Sequence, residues 1–416
     1  MKRHVMLAAA ALLSACSALT PQELGPRIDK LAAAGDTAAL ATLARDHCRA
    51  TSGDDRQACL EDYFLTLAAG HRVRLALGAL ERLGGSDDEV AREGHGYTHV
   101  IGIRAWQPGD DVAEVFRSCT GLYQSGCYHG VIQAYLTEGG ALDSARAISL
   151  CDQVAAAPED RWLRFQCVHG LGHGFEMALG WELPRALSSC DWLASWWDRE
   201  SCYGGAFMEN AVASQPGRHH TSARALAAAD PEPAGHAGHG GHMPDPAAVA
   251  FRMRDSTDAL YPCTVLDQRY LRSCFQVQGG IILNASAQDF RRAATECNRA
   301  PEGFRRECYL SLGTNASGST GQSIAEAIAH CSKGDPAYQP WCFVGAVKNF
   351  IDVTALPEDG VRFCREVAQG ENRVQCWRAV GEQVATLYPT DPVRRTAACA
   401  LAAADGVAPC RLGALL

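Results

Sequence analysis

The organisation of this chain is clearest in ten residues, Cys167-Val168-His169-Gly170-Leu171-Gly172-His173-Gly174-Phe175-Glu176. They join a cysteine at the start of a predicted helix to two histidines, His169 and His173. Residues four positions apart lie on one face of an α-helix, so the two imidazoles are predicted to be neighbours. The stretch thus combines a cross-linking residue, several glycines and a histidine pair.

Three other segments resemble this stretch when they are aligned on their glycines: residues 94–99, 127–133 and 202–208. The alignment predicts two columns of histidines. The first contains His95, His129 and His169, and the second contains His99 and His173. In the second column the other two copies carry Gln133 and Met208.

The cysteines predict a regular disulfide framework. The chain has 19 cysteines, and all except Cys16 fall into sequential couples with short, similar spacings. Even numbers of evenly spaced cysteines are typical of oxidised, exported proteins, and the C-x2-C spacing of reduced metal sites does not occur here. The predicted couples are Cys48 with Cys59, Cys119 with Cys127, Cys151 with Cys167, Cys190 with Cys202, Cys263 with Cys274, Cys297 with Cys308, Cys331 with Cys342, Cys364 with Cys376, and Cys399 with Cys410.

The couples recur every 33 to 35 residues in the C-terminal half of the chain. Such a period indicates an array of helical hairpins. In each unit a first helix ends near one cysteine, a polar turn follows, and a second helix opens at the next cysteine. We therefore predict an all-α fold, an α-solenoid of about ten helical hairpins, most of them closed by one local disulfide. The N-terminal repeats cover 36–213 and the C-terminal repeats 247–416.

This layout resembles the tetratricopeptide and Sel1-like families of α-hairpin repeat proteins, including the cysteine-rich secreted Sel1-like proteins. The resemblance rests on the period and the cysteine rhythm. It implies a hairpin solenoid, a fold that usually binds a peptide or a partner protein along one face.

The N-terminus predicts export and lipid anchoring. Residues 1–15 combine a charged start, a short apolar run and small residues, as in a secretory signal peptide. Residues 13–16 (Leu-Ser-Ala-Cys) resemble a bacterial lipobox, which implies lipidation of Cys16 and a lipid-anchored tether over 16–35. Ser17 implies by the same resemblance an outer membrane location facing the periplasm. The alternative is an ordinary cleaved signal.

Residues 214–246 interrupt the repeats with a segment rich in proline, glycine, alanine and histidine. Such a composition cannot form a packed core, so a mobile loop is expected. Imidazoles and a thioether on such a loop would capture a metal ion, including Cu(I). The alternative is a solvated linker. The predicted capture residues are His219, His220, His236, His239, His242 and Met243.

Neighbouring second helices of a solenoid lie about 8–10 Å apart, so the two histidine columns are predicted to meet on one face. Three or more neutral imidazoles suit copper, zinc, iron or nickel, and copper or zinc is the predicted cofactor. Haem is less well supported because no C-x-x-C-H motif occurs. The alternative is that these histidines cap helices or fill a half-buried groove. The predicted ligands are His95, His99, His129, His169 and His173.

Other residues near the histidines are candidates to support them. Glu93, Glu138, Glu176 and Glu209 are candidates to orient the ligands, together with Tyr97, Tyr128 and Tyr203. The glycines predict close helix packing or the close approach of a ligand. The C-terminal repeats keep an equivalent Gly345 without histidines. This pattern predicts that the glycines serve packing and the histidines a local function.

Two functional hypotheses follow. The first is a metal-binding envelope lipoprotein, which could bind and hand on the ion or use it for redox or hydrolytic chemistry, so catalysis is left open. The second is an interaction scaffold without metal chemistry that binds a protein or peptide on the solenoid face. A net charge of −9, without a basic stripe, argues against a nucleic-acid partner.

Overall fold

The computed structural model describes residues 20–138, 142–155, 157, 160–214 and 251–416. In these ranges the chain forms 21 α-helices and no β-strand. The predicted all-α class is therefore confirmed, and the arrangement is compatible with a solenoid of helical hairpins. The predicted signal peptide, Cys16 and the six capture residues between His219 and Met243 lie outside the described residues.

A single helix and five hairpins form the N-terminal half. In chain order their helices are α1 (Pro21–Ala33), α2 (Thr37–His47), α3 (Gly53–Ala68), α4 (Val73–Gly84), α5 (Asp88–Ala105), α6 (Val112–Ser118), α7 (Gly126–Glu138), α8 (Ser144–Val154), α9 (Arg161–Ala178), α10 (Leu183–Cys190) and α11 (Trp196–Ala213). The hairpin α4–α5 is the one without cysteines.

The C-terminal half repeats the same plan. Its helices are α12 (Leu271–Val277), α13 (Gly279–Ala285), α14 (Phe290–Arg299), α15 (Arg305–Gly318), α16 (Ile324–Cys331), α17 (Gln339–Thr354), α18 (Pro357–Glu366), α19 (Glu371–Leu387), α20 (Pro392–Ala400) and α21 (Val407–Gly413). Residues 251–267, ahead of α12, contain turns and bends rather than the first helix of a hairpin.

The disulfides close the hairpins, and all nine predicted couples are confirmed. Their Cα–Cα distances lie between 5.4 and 5.8 Å, which is normal for a disulfide. Eight of the bridges hold a turn that connects two helices, and the bond from Cys263 to Cys274 joins the segment of turns ahead of α12 to that helix. In the N-terminal half the bonds join Cys48 to Cys59, Cys119 to Cys127, Cys151 to Cys167, and Cys190 to Cys202. In the C-terminal half they join Cys263 to Cys274, Cys297 to Cys308, Cys331 to Cys342, Cys364 to Cys376, and Cys399 to Cys410.

Aspartate starts many of the first helices of the hairpins. Its side chain accepts hydrogen bonds from backbone N–H groups of the first turn, which have no partner within the helix. This local signal explains why each of these helices begins where it does. The capping residues are Asp36, Asp111, Asp143, Asp289 and Asp391.

Glycines allow the second helices to touch backbone to backbone. A Cβ atom on Gly172 of α9 would lie 2.0 Å from the carbonyl oxygen of Cys202 on α11, and one on Gly205 would lie 2.0 Å from the carbonyl oxygen of His169. Gly345 of α17 shows the same contact, 1.9 Å from the Leu310 carbonyl oxygen. The predicted packing function of these glycines is therefore confirmed.

The contact on α5 is made by a glycine outside the sequence alignment, which placed Gly96 in one column with Gly130, Gly170 and Gly205. A Cβ on Gly102 would lie 2.1 Å from the Cys127 carbonyl oxygen, whereas one on Gly96 would meet nothing within 4 Å. Gly130 of α7 faces the carbonyl oxygen of His99 at 2.2 Å, as Gly205 faces that of His169. His99, rather than His95, is therefore the structural equivalent of His169.

Part of the predicted tether is folded. Residues 21–33 form α1, and Leu24 and Ile28, one turn apart, are buried against the first hairpin. This apolar spacing packs the helix onto the core. None of the helices in the described ranges has the length and hydropathy needed to span a bilayer.

Candidate metal centre

The five predicted histidine ligands come together on three consecutive second helices. His95 and His99 lie on α5, His129 on α7, and His169 and His173 on α9. Neighbouring rings have centroid separations between 4.6 and 5.8 Å. Although the register of α5 differs from the sequence alignment, the two predicted columns therefore do form one cluster.

The first pair, His95 and His99 on α5, is held by hydrogen bonds at its Nδ1 atoms. Nδ1 of His95 lies 2.8 Å from the carbonyl oxygen of Tyr123, and Nδ1 of His99 lies 3.0 Å from Oε1 of Gln133. A carbonyl oxygen accepts hydrogen bonds only, so each Nδ1 carries the proton. In the neutral ring the lone pair is then on Nε2.

The second pair, His169 and His173 on α9, repeats this arrangement. Nδ1 of His169 lies 3.1 Å from the Ser201 carbonyl oxygen, and Nδ1 of His173 lies 2.9 Å from a carboxylate oxygen of Glu209. Both acceptors again place the proton on Nδ1. The Nε2 atoms of this pair therefore also carry lone pairs.

Within each pair the two Nε2 atoms face each other. They are 3.1 Å apart in the first pair and 3.3 Å apart in the second. Two acceptors cannot form a hydrogen bond with each other, and a cation between or beside the nitrogens would remove the repulsion between their lone pairs. Two ligands bound at about 2.0–2.1 Å to one tetrahedral ion are about 3.3 Å apart. The pairs thus already have the spacing of two ligands on one metal ion.

His129 lies between the pairs. Its Nε2 is 3.2 Å from Oε1 of Gln166, while its buried Nδ1 has no hydrogen-bond partner in the structure. A buried nitrogen without a partner is costly unless a ligand occupies it. Among the described residues, ring nitrogens within 4.8 Å of one another form two groups, in which His129 accompanies either the first pair or the second. His129 is the member that both groups share.

Glu209 on α11 links the two pairs. The same carboxylate oxygen that accepts from His173 also lies 3.4 Å from the side-chain nitrogen of Gln133, whose oxygen accepts from His99. Carboxylates behind metal-binding histidines fix ring orientation and raise ligand basicity. Glu209, one of the four acids considered from the sequence, contacts His173 directly, and Gln133 links it to His99 of the first pair.

Burial keeps the cluster uncharged. It lowers the pKa of His95 to about 4 and those of His169 and His173 to about 3. The pKa values of His99 and His129 also fall well below their ordinary value, for the same reason. Neutral imidazoles are the form that binds metal. At neutral pH the five imidazoles are therefore already in the form that can bind a metal ion.

One side of the cluster is more open than the rest. His95 is half-buried, whereas the other four histidines are between 2 % and 6 % exposed. The cluster is therefore most accessible from the side of His95. The other four histidines are enclosed by the packed second helices.

Glu176 is the most unusual acid near the site. It lies three residues after His173 on α9, is fully buried, and neither carboxyl oxygen has a hydrogen-bond partner in the structure. Burial raises the pKa of Glu176 well above its usual range, and the nearby Glu209 and Glu182 raise it further. The side chain is therefore a neutral acid within the protein.

Several groups that the sequence analysis considered have other functions. Tyr128 donates a hydrogen bond to the Cys119 carbonyl oxygen at 3.1 Å, and Tyr203 donates one to Asp191. These two hydroxyl groups therefore stabilise the scaffold rather than the histidines.

Sequence reasoning missed some partners of the cluster. They are Gln133, Gln166 and the backbone carbonyls of Tyr123 and Ser201. Gln133 could have been found, because it lies one turn after His129 on the same helix and occupies the second histidine column. The carbonyls leave no signal in the sequence.

A third group of possible ligands involves His47. It lies beside Cys48 and Cys59, but these two cysteines form a disulfide and supply no thiolate. This group is therefore not a metal site.

Comparison of the chain with protein-family models, with curated proteins and with solved structures finds no match. The likeness to tetratricopeptide and Sel1-like repeats remains a prediction. The site residues themselves therefore carry the functional argument.

Proposed function

We propose that this protein is a copper-binding lipoprotein of the bacterial cell envelope, facing the periplasm, with a buried histidine centre on a disulfide-stapled helical array. Zinc is the alternative ion. The lipid anchor at Cys16 and the outer-membrane location rest on the N-terminal sequence, and the nine disulfides agree with an oxidising compartment.

The facing Nε2 atoms carry this proposal. If the histidines served only packing, each ring would be expected to satisfy both nitrogens. Instead, two pairs direct lone pairs at each other over 3.1 and 3.3 Å, and a fifth ring has an unpartnered buried Nδ1. This pattern occurs where Nδ1 partners orient imidazoles towards a metal.

The donor set favours copper. The five candidate donors are imidazole nitrogens, and the cysteines that could have supplied thiolates are oxidised. For a nitrogen site, affinity among divalent first-row metals is greatest for Cu²⁺. The loop thioether of Met243 adds a ligand suited to Cu(I). Binding and transfer of the ion fit the enclosed ligands better than catalysis on a bulky substrate does.

The sequence between the two halves supplies the second part of the proposal. Its histidines and methionine capture the ion and pass it to the folded cluster, which it would enter past the half-buried His95. Deleting the capture ligands should then slow loading without abolishing it. In this scheme the folded cluster retains the ion and the loop collects it.

Elemental analysis tests the proposal. The tag-free protein, expressed in the periplasm and dialysed, is compared with a full-length loop variant in which six residues are changed to alanine: His219, His220, His236, His239, His242 and Met243. Copper retained by the loop variant is the expected result. Metal retained only by the unaltered chain would contradict a folded centre, and no metal in either protein would leave the interaction-scaffold hypothesis.

A further inference from the structure

The histidine cluster divides into two half-sites rather than forming one. In each half-site two Nε2 atoms face each other, and each ring is oriented from behind by its own acceptor: Tyr123 and Gln133 for the first pair, Ser201 and Glu209 for the second. The two half-sites therefore share the same arrangement of two facing nitrogens and two acceptors. Neither depends on the other for the orientation of its rings, apart from the shared link through Glu209.

Distance decides whether one ion could serve both pairs. Two nitrogens bound to one ion at about 2.0–2.1 Å can be at most about 4.2 Å apart, when they lie on opposite sides of it. In the described part of the chain, the grouping of donors at 4.8 Å separates the first pair from the second. One ion therefore cannot contact all four Nε2 atoms as they are placed. Two ions can be accommodated, because each pair already has the spacing of ligands on one ion.

His129 lies within reach of both half-sites. Its ring centroid is 5.3 Å from that of His99 and 4.9 Å from that of His173. The nitrogen without a partner is Nδ1, whereas Nε2 is engaged by Gln166. A single lone pair can complete one half-site at a time. His129 therefore supplies a third ligand that can pass from one ion to the other.

We propose that the cluster is a two-ion centre, with one copper ion held by His95 and His99, a second held by His169 and His173, and His129 shared between them. This inference rests on the proposed metal-binding function and extends it to the number and arrangement of the ions. It also predicts that the ion at His95 exchanges first, because that histidine is the more exposed one.

Stoichiometry provides the first test, in the full-length loop variant so that loop histidines add no copper. About two coppers per chain are expected after loading and dialysis. His95→Gln with His99→Gln should leave about one, and His169→Gln with His173→Gln should also leave about one. Far-UV circular dichroism of each variant checks that it is folded.

Electron paramagnetic resonance of the Cu(II)-loaded loop variant provides a second test that needs no change in the cluster. Two neighbouring Cu(II) ions should give a spin-coupled spectrum with a half-field transition. An isolated Cu(II) signal at about one copper per chain would overturn the two-ion centre and leave a single-ion site. No bound copper would overturn the proposed function as well, so the two failures are distinguishable.

Discussion

The two halves of the molecule pack their second helices through the same glycine contact, but only the N-terminal half carries histidines beside it. Gly172 and Gly205 in α9 and α11 correspond in their contacts to Gly313 and Gly345 in α15 and α17. On this basis the position of His169 is occupied by Leu310 and that of His173 by Thr314. The glycine contact therefore does not require the histidines, and they serve something else.

Polar groups show the same difference. In the C-terminal half, the counterparts of Glu176 and Glu209 are Ser317 and Asn349, and both are satisfied through Gln322. The Ser317 hydroxyl donates to the side-chain oxygen of Gln322, and the side-chain nitrogen of Gln322 donates to the side-chain oxygen of Asn349, each at 3.1 Å. In the N-terminal half, the His129 Nδ1 and both Glu176 oxygens have no partner. At these equivalent positions the C-terminal half pairs its polar side chains, whereas the N-terminal half leaves buried polar atoms without a partner.

The largest expected effect is on the pH at which copper is released. Leu310→His with Thr314→His, in a chain whose five cluster histidines are replaced by alanine, moves the pair to the C-terminal half, where Thr314 is exposed. An exposed histidine has a pKa of about 6.5, whereas burial lowers the pKa of His95 to about 4. Protons displace metal only below the ligand pKa. The transplanted pair should release copper as the pH falls through about 6.5, and the native cluster should retain it down to about pH 4.

Copper content after dialysis at stepped pH measures this difference, with far-UV circular dichroism at each pH to exclude unfolding. Release from both proteins at the same pH would show that burial does not tune the native ligands. The burial of the native histidines would then not explain how the cluster retains copper at low pH.

Replacing a packing glycine by alanine should destabilise either half equally, but it should reduce copper binding only in the N-terminal half. Gly205→Ala and Gly345→Ala each place a Cβ about 2 Å from a backbone oxygen, and overpacking of this kind should lower the free energy of unfolding by about 3 kcal/mol. Only Gly205→Ala should also reduce copper binding, because it displaces the helix of His169. Urea denaturation and copper titration give the two readouts.

Gly96→Ala is the matched control, because nothing lies within 4 Å of the added Cβ. Replacing a helical glycine should raise the free energy of unfolding by about 0.5–1 kcal/mol. Equal copper loss in Gly205→Ala and Gly345→Ala would contradict the separation of packing from metal binding.

Glu209 should matter for affinity rather than for folding. Glu209→Gln removes the charge behind His173 and Gln133, and loss of such a partner should weaken copper binding about 10- to 100-fold. Asn349→Asp, at the equivalent position in the C-terminal half, should leave copper affinity unchanged. Competition with a chelator of known affinity measures both. An unchanged affinity in Glu209→Gln would remove Glu209 from the site.

Substitutions of Glu176 and of Ser317 should change the free energy of unfolding in opposite directions. Glu176→Met removes a buried carboxyl group without a partner and should raise the free energy of unfolding of the metal-free protein by about 1–2 kcal/mol. Ser317→Ala loses a hydrogen bond and should lower it by about 1 kcal/mol. Chemical denaturation at pH 7 compares the two, and destabilisation by Glu176→Met would show that this acid contributes to the scaffold.

The amino-acid sequence by itself determined the scaffold and the identity of the cluster. The cysteine spacing predicted all nine disulfides, because a short loop between sequence neighbours leaves little choice of partner. Helical spacing predicted that His95 pairs with His99 and His169 with His173. Because Gly345 recurs without histidines, the sequence already indicated that the glycines serve packing and the histidines a local function. These are local signals, and local backbone geometry suffices to interpret them.

Only the tertiary structure decided how the five histidines are arranged. The register of α5 is set by Gly102 against the Cys127 carbonyl oxygen, a contact between residues of different hairpins that the glycine alignment did not find. The same packing turns the Nε2 atoms of each pair towards each other and divides the cluster into two half-sites. Sequence spacing specifies which residues share a helix face, whereas distances between helices depend on how closely their backbones pack.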